Sequence, residues 1–109
     1  MKCKKIMLHI SVAALAFYSQ VAGAVPCYEK VTAVISHSSG RIYFKTDKTC
    51  PEAWCEISGN SDYVKQSYAM LLLANSTNRT VLFAWNNLPS CSDKNPVYSV
   101  PDFLVVEGS

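Results

Sequence analysis

The chain has 109 residues, with ten lysines and arginines, eight acidic residues and a formal net charge of +2. Three of the lysines lie within the first five residues, so residues 25–109 carry seven basic and eight acidic side chains and a net charge of −1. This balance argues against nucleic-acid binding, which needs a basic patch or stripe. The 85 residues from 25 to 109 suffice for one small domain with a thin core.

Residues 1–24 have the pattern of a secretory signal peptide. Basic residues precede an apolar run, and the segment ends in the small-x-small sequence Ala22-Gly23-Ala24. The apolar run is too short to span a membrane. We therefore predict a cleaved signal peptide at 1–24, a single mature domain at 25–109 and a periplasmic or secreted location without a membrane span. An uncleaved anchor is the alternative.

Four cysteines remain after the predicted cleavage: Cys27, Cys50, Cys55 and Cys91. An even number of cysteines in a small exported domain indicates two disulfides, and three pairings are possible. A four-cysteine zinc site is the alternative, because Cys50 and Cys55 have a permissible ligand spacing. The other two cysteines are isolated in the sequence and the expected compartment is oxidising. We therefore predict disulfides, and neither a metal nor a cofactor.

Two alternating segments predict a β-hairpin. The segment 28–37 is expected to be a strand with one buried face, formed by Val31, Ala33 and Ile35. The turn-rich sequence Ser-His-Ser-Ser-Gly at 36–40 follows, and the segment 41–47 alternates again. The side chains expected to point inward are Ile42 and Phe44, and those expected to point outward are Arg41, Tyr43 and Lys45.

A short strand and a helix are predicted next. The segment WCEIS at 54–58 has strand composition, and Asn60 or Ser61 can accept hydrogen bonds from the free N–H groups at the start of a helix. The helix is predicted over about 61–76, where Asn and Ser residues favour its end. The residues that share one face at helical spacing are Val64, Tyr68, Leu71, Leu72 and Asn75.

Two further strands complete the pattern. The segment 79–87 is apolar on both faces, as in a strand covered on both sides, and Trp54 and Trp85 are expected in the core. The last predicted strand, 97–108, is interrupted by Pro101, which predicts a sheet edge or a bulge there. The fold class is mainly β with one helix in the order β-β-β-α-β-β, typical of a five-stranded OB-fold-like barrel. A flat meander with one covering helix is the alternative.

A resemblance rests on three features: the run ISHSSGRIYFKTDKTCP…WCEIS, the run SDYVKQSYAMLLLANSTNRTVLFAW, and a lone cysteine in the following loop. Together these resemble small exported bacterial proteins that are similar to the OB-fold B subunits of AB5 toxins, in the subtilase-cytotoxin and pertussis-like group. The resemblance covers about residues 31–91. It implies attachment to cell-surface glycans by a ring-shaped homo-oligomer, with a pentamer favoured and an A subunit as a possible partner.

The resemblance also implies a disulfide pairing and a role for the helix. Such proteins usually share a pair at Cys50 and Cys91, which would leave Cys27 bonded to Cys55. In a ring, one helix face packs on its own barrel and the other lines the pore or a neighbouring subunit. We therefore expect Met70 and Leu73 to face the oligomer. Partial exposure on a monomer is the alternative interpretation.

Catalysis is not expected. His37 lies beside three serines, but nucleophilic catalysis needs a base in reach and a third group that orients it, and no acid is close in the sequence. The eight acidic residues are scattered. We therefore predict a binding protein and not an enzyme.

The predicted binding surface is the outward side of the second strand with the hairpin turn. Hydroxyl, amide and aromatic groups suit sugar recognition, and Arg41 could pair with an acidic sugar. The candidate glycan-binding residues are Ser36, His37, Ser38, Ser39, Arg41, Tyr43 and Lys45. The alternative function is that of a monomeric periplasmic or secreted protein that binds a protein partner or has a structural role.

Overall fold

A computed structural model describes residues 23–108. The predicted signal peptide lies outside the described residues, except for Gly23 and Ala24. The elements along the chain are β1 (Val25–Ser36), β2 (Ile42–Thr46), β3 (Cys55–Ile57), α1 (Ser61–Thr77), β4 (Thr80–Trp85) and β5 (Phe103–Val106). The strands form one antiparallel sheet in the order β3-β2-β1-β4-β5, curled into a half-barrel. The prediction of a mainly β fold with one helix is confirmed. No helix within residues 23–108 is long and apolar enough to cross a membrane.

Strand β1 is the central strand of the sheet and contains a bulge. Its first half pairs with β4 and its second half with β2, and the pairing with β2 shifts between Val31 and Ala33. The extra residue reverses the alternation, so Val34 lies opposite the buried Phe44 and Ile35 lies opposite Tyr43, with 37% of Ile35 exposed. The prediction that Ala33 and Ile35 point inward is therefore wrong. Strand β1 also begins at Val25, three residues earlier than predicted.

The core is built around three stacked aromatic rings. The ring of Phe44 lies 5.1 Å from that of Phe83 and 6.4 Å from that of Trp85, and all three side chains are fully buried. These contacts join β2 to β4 beneath α1, which contributes the buried Leu71. The prediction that Trp85 lies in the core is confirmed. The side chain of Trp54, by contrast, is only half-buried and is not part of the core cluster.

Helix α1 begins as the sequence predicts. The side chain of Asn60 accepts a hydrogen bond from the Tyr63 backbone N–H at 2.9 Å, and the helix ends at Thr77, where the next residue, Asn78, adopts the left-handed conformation and caps it. The helix packs mainly on β1, with smaller contacts to β2, β3 and β5. The cap therefore fixes the first turn, and the sheet determines which side of the helix is buried.

The buried side of α1 matches the predicted face only in part. Its fully buried residues are Ser67, Leu71 and Ala74, whereas Leu72 and Asn75 are exposed. Ser67, Leu71 and Ala74 follow one another at spacings of four and three residues, which places them on one side of the helix. Of the five residues predicted to share one face, Val64, Tyr68 and Leu71 lie in or against the core, whereas Leu72 and Asn75 do not.

Two disulfides are present, as the cysteine count predicts. Cys27 is bonded to Cys91, with their Cα atoms 5.5 Å apart, and Cys50 is bonded to Cys55, with Cα atoms 6.2 Å apart. The pairing implied by the resemblance, Cys50–Cys91 with Cys27–Cys55, is therefore wrong. Cys27 lies on β1 next to β4, where the loop that follows β4 brings Cys91 to it, and Cys50 and Cys55 flank the loop that enters β3.

Strand β5 lies at an edge of the sheet, as the position of Pro101 predicts, and pairs with β4. It begins at Phe103, after the proline, so the predicted strand residues 97–100 form a loop instead. The backbone of this loop contacts β3: the Tyr98 N–H donates to the Trp54 carbonyl at 2.6 Å, and the Glu56 N–H donates to the Ser99 carbonyl at 2.8 Å. The loop thus covers part of the other edge of the sheet.

Candidate functional site

The outward side of β2 carries a polar and aromatic surface that we call the β2 face. It comprises His37, Arg41, Tyr43, Lys45, Trp54, Glu56 and Tyr98. Four of these seven were predicted as site residues from the sequence. Strand β2 positions them because its inward residues, Ile42 and Phe44, are held in the core, and strict alternation then directs Tyr43 and Lys45 outward.

Three aromatic rings lie side by side on the β2 face. The His37 ring meets Tyr43 edge-on at 6.0 Å between centroids, and the rings of Tyr43 and Tyr98 are 5.2 Å apart and tilted by 44°. The side chain of Tyr98 is 54% exposed, so its ring is accessible to a ligand. Rings in contact restrain one another and present a defined apolar surface.

The charged groups of the β2 face contact other groups of the same face. The Nη1 atom of Arg41 lies 3.7 Å from the Glu56 carboxylate, and the Lys45 ammonium lies 4.6 Å from the centre of the Trp54 ring. The Arg41 side chain is largely exposed, so this ion pair contributes little to stability. Its main effect is to place a negative charge beside the positive one.

The hairpin turn holds His37 in place. The Ser39 backbone N–H donates to His37 Nδ1 at 3.1 Å, and the Ser39 hydroxyl lies 2.9 Å from the same nitrogen. Because Nδ1 accepts from that N–H, the neutral ring carries its proton on Nε2, which remains available as a donor. The turn closes at Gly40, whose φ of 89° suits glycine.

The other predicted serines do not all join this surface. Ser36 lies opposite the inward-pointing Ile42, and directly opposite residues share a side of the sheet, so Ser36 lies on the other side from Tyr43. Ser38 is exposed in the turn. Met70, predicted to face an oligomer, is half-buried and packs against the core, whereas Leu73 is 46% exposed.

Sequence reasoning missed Trp54, Glu56 and Tyr98 as members of the β2 face. Glu56 could be found from the sequence, because it alternates with the apolar residues Cys55 and Ile57 on a strand beside β2. Tyr98 could not, because it lies 55 residues after Tyr43 and its position depends on the route of the loop that follows β4.

The loop that carries Tyr98 has an unusual backbone. Tyr98 adopts φ = 64°, in the left-handed region that bulky side chains rarely occupy. The Ser99 N–H and hydroxyl both donate to the Pro96 carbonyl, at 3.3 and 2.7 Å, and the Asn87 amide donates to the Ser99 hydroxyl at 3.0 Å. Together with the two hydrogen bonds to β3, these contacts fix the conformation of the loop.

A second polar cluster surrounds Glu29 and is enclosed by the fold. The Glu29 side chain is fully buried, and its carboxyl group accepts hydrogen bonds from the Thr46 hydroxyl at 2.6 Å, from the Thr49 N–H at 2.7 Å and from Trp85 Nε1 at 2.9 Å. Thr49 also donates through its hydroxyl. The cluster ties β1 to β2, β4 and the loop after β2, and its burial indicates a structural role.

Comparison with known proteins gives no family. No protein-family model matches the chain, and no curated protein matches it. Within residues 23–108, no group of three or more His, Cys, Asp or Glu side chains is placed to hold a metal ion. The geometry of the β2 face is therefore the basis for assigning a function.

Proposed function

We propose that this protein is a non-enzymatic, exported binding module that attaches to cell-surface glycans through the β2 face, as a ring-shaped homo-oligomer similar to a toxin B subunit. The observation that carries the proposal is the row of His37, Tyr43 and Tyr98 rings on one accessible surface. Export is supported by the signal pattern of the sequence and by two disulfides.

The strand order supports an OB-fold for this module. The sheet order β3-β2-β1-β4-β5, with α1 between β3 and β4 in the chain, fits a partly open Greek-key barrel. OB-folds bind oligosaccharides across their second and third strands. The β2 face occupies this position, since Tyr43 and Glu56 lie opposite each other on β2 and β3.

The chemistry of the β2 face suits a sugar. A pyranose presents an apolar side of C–H groups that stacks on an aromatic ring, and a rim of hydroxyl groups that need donors and acceptors. Tyr43 and Tyr98 supply the rings. The imidazole of His37, the Ser39 hydroxyl and the Arg41–Glu56 pair supply polar partners within the same surface.

Replacing Tyr43 with alanine is expected to weaken glycan binding by about tenfold or more, because a central aromatic contact is removed. Binding of the oxidised protein to a printed glycan array measures this. The matched control is Tyr28→Ala, since Tyr28 is also an exposed strand tyrosine, at 55% exposure, on the other half of the sheet. A wild type that binds no glycan contradicts the glycan function, and an equal loss of binding by both variants contradicts the β2 face as its site.

Oligomerisation is supported by the apolar residues that α1 leaves uncovered. Leu72 and Leu73 are 41% and 46% exposed. We expect light scattering after gel filtration to give about five times the mass of one chain, because a head-to-tail interface closes into a ring. Leu73→Glu should yield monomers, and Gln66→Glu, at an exposed position of the same helix, should not. A monomeric wild type would contradict the ring and, with it, a role for an A subunit.

A monomer that binds a protein partner is the second candidate. Strand pairing places Tyr28, Leu82 and Val105 in one row across the outward side of β1, β4 and β5, and Tyr28 and Val105 are exposed. The exposed Phe103 lies in the next row. Contiguous exposed apolar residues mark interaction sites. A monomeric mass together with no glycan binding would favour this function.

A further inference from the structure

We propose that Tyr98 is the principal sugar-stacking residue of the β2 face and that the sugar it takes is neutral. This inference rests on the proposed glycan-binding function and goes beyond it by naming a residue and a ligand class. Three observations carry it: the backbone conformation of Tyr98, the placement of its ring and the charge balance around it.

The backbone conformation of Tyr98 is costly and is not compensated by burial of the ring. A bulky residue at φ = 64° is a conformational outlier, and such outliers persist where the surrounding structure enforces them, often at ligand sites. The hydrogen bonds from Ser99 to the Pro96 carbonyl, from Asn87 to Ser99 and from the Tyr98 N–H to the Trp54 carbonyl enforce this one. A residue needed only for packing would bury its ring, yet 54% of Tyr98 is exposed.

The backbone conformation of Tyr98 places its ring beside the ring of Tyr43 on the β2 face. The Tyr98 ring lies 5.2 Å from the Tyr43 ring at a tilt of 44°, so the two rings meet at an angle and do not form a parallel stack. Tyr98 is 54% exposed, so its ring keeps accessible surface beside Tyr43. Val97, the preceding residue, is 56% exposed but has no ring on which a sugar could stack, so it serves as a control.

The charge balance favours a neutral sugar over an acidic one. Glu56 lies 3.7 Å from Arg41, so an acidic sugar that approached Arg41 would meet a carboxylate beside it. An acidic sugar would also compete with the contact that the Lys45 ammonium makes with the Trp54 ring, 4.6 Å away. A neutral sugar needs neither rearrangement and gains its affinity from ring contact and hydroxyl hydrogen bonds.

The test uses Tyr98→Gly, because glycine removes the ring and adopts positive φ without strain. On an array of neutral and sialylated glycans, we expect the wild type to bind neutral glycans and Tyr98→Gly to lose about tenfold or more of that binding. Its melting temperature should not fall. Tyr98→Phe, which keeps the ring, should bind within about threefold of the wild type, and Val97→Ala should bind like the wild type.

The outcomes separate this inference from the function on which it rests. A wild type that binds no glycan contradicts the proposed function. A wild type that binds while Tyr98→Gly binds equally well overturns the role of Tyr98. Binding confined to sialylated glycans overturns the neutral class. A marked fall in the melting temperature of Tyr98→Gly would show that the ring serves packing, which also overturns the role of Tyr98.

Discussion

Replacing Glu29 with alanine is expected to lower the free energy of unfolding by about 3–5 kcal/mol. The substitution leaves the Thr49 N–H and the Trp85 indole N–H without their acceptor in the interior of the protein. Each buried donor that loses its partner costs about 1–3 kcal/mol, and the removed side chain also leaves a cavity. Small domains are stable by only about 5–15 kcal/mol, so this single change threatens the fold.

The size of this effect follows from how many elements meet at one carboxyl group. Glu29 lies on β1, Thr46 on β2, Thr49 in the next loop and Trp85 on β4. Thr46 also accepts a hydrogen bond from the Cys50 backbone N–H at 3.0 Å, and Asn95 donates to Thr49 Oγ1 at 2.9 Å. These bonds are mutually dependent, so loss of the central acceptor disturbs all of them.

Equilibrium unfolding in urea measures the change, with Glu29→Gln and Glu52→Ala as companions. Glutamine keeps the volume but turns one acceptor oxygen into a donor facing other donors, so we expect a loss smaller than that of alanine. Glu52 is exposed, and its replacement should change the unfolding free energy by less than about 0.5 kcal/mol. A loss below about 1 kcal/mol for Glu29→Ala would contradict the structural role of the cluster.

The sequence predicts those parts of the fold that depend on neighbouring residues. Alternation identifies the inward and outward sides of β2 correctly, because that strand is regular and half-buried. The side-chain chemistry of Asn60 identifies the start of α1, since capping is a local hydrogen bond. Each of these two features depends only on residues that lie within a few positions of one another in the sequence.

The sequence does not predict the features of the fold that depend on contacts between residues far apart in the chain. One extra residue at the bulge in β1 reverses the side of Ile35, and the bulge lies where the pairing of β1 passes from β4 to β2. Glu29 shares one side of β1 with Cys27 and Val31, which could have marked it as buried, but its partners come from three other segments. Tyr98 joins Tyr43 only through the route of a long loop.

Removing the Cys27–Cys91 disulfide is expected to destabilise the protein by about 4 kcal/mol, and removing Cys50–Cys55 by about 2 kcal/mol. The first bond spans 64 residues of sequence and the second spans five, so the first restricts the unfolded chain more strongly. The double variants Cys27→Ala/Cys91→Ala and Cys50→Ala/Cys55→Ala make the comparison, because each removes one complete bond and leaves no free thiol.

Urea unfolding of the two double variants and the oxidised wild type measures the difference, and peptide mapping without reduction establishes the pairing. We expect the Cys27 and Cys91 peptides to be joined, and the long-range variant to unfold at clearly lower urea. Cys27 is nearly fully buried on the strand that links both halves of the sheet, and Cys91 anchors the loop after β4 to that strand. This loop leads on to Tyr98, so the same variant should also weaken binding at the β2 face. Equal destabilisation by both variants, or a joined Cys50–Cys91 peptide, would contradict the pairing and its role.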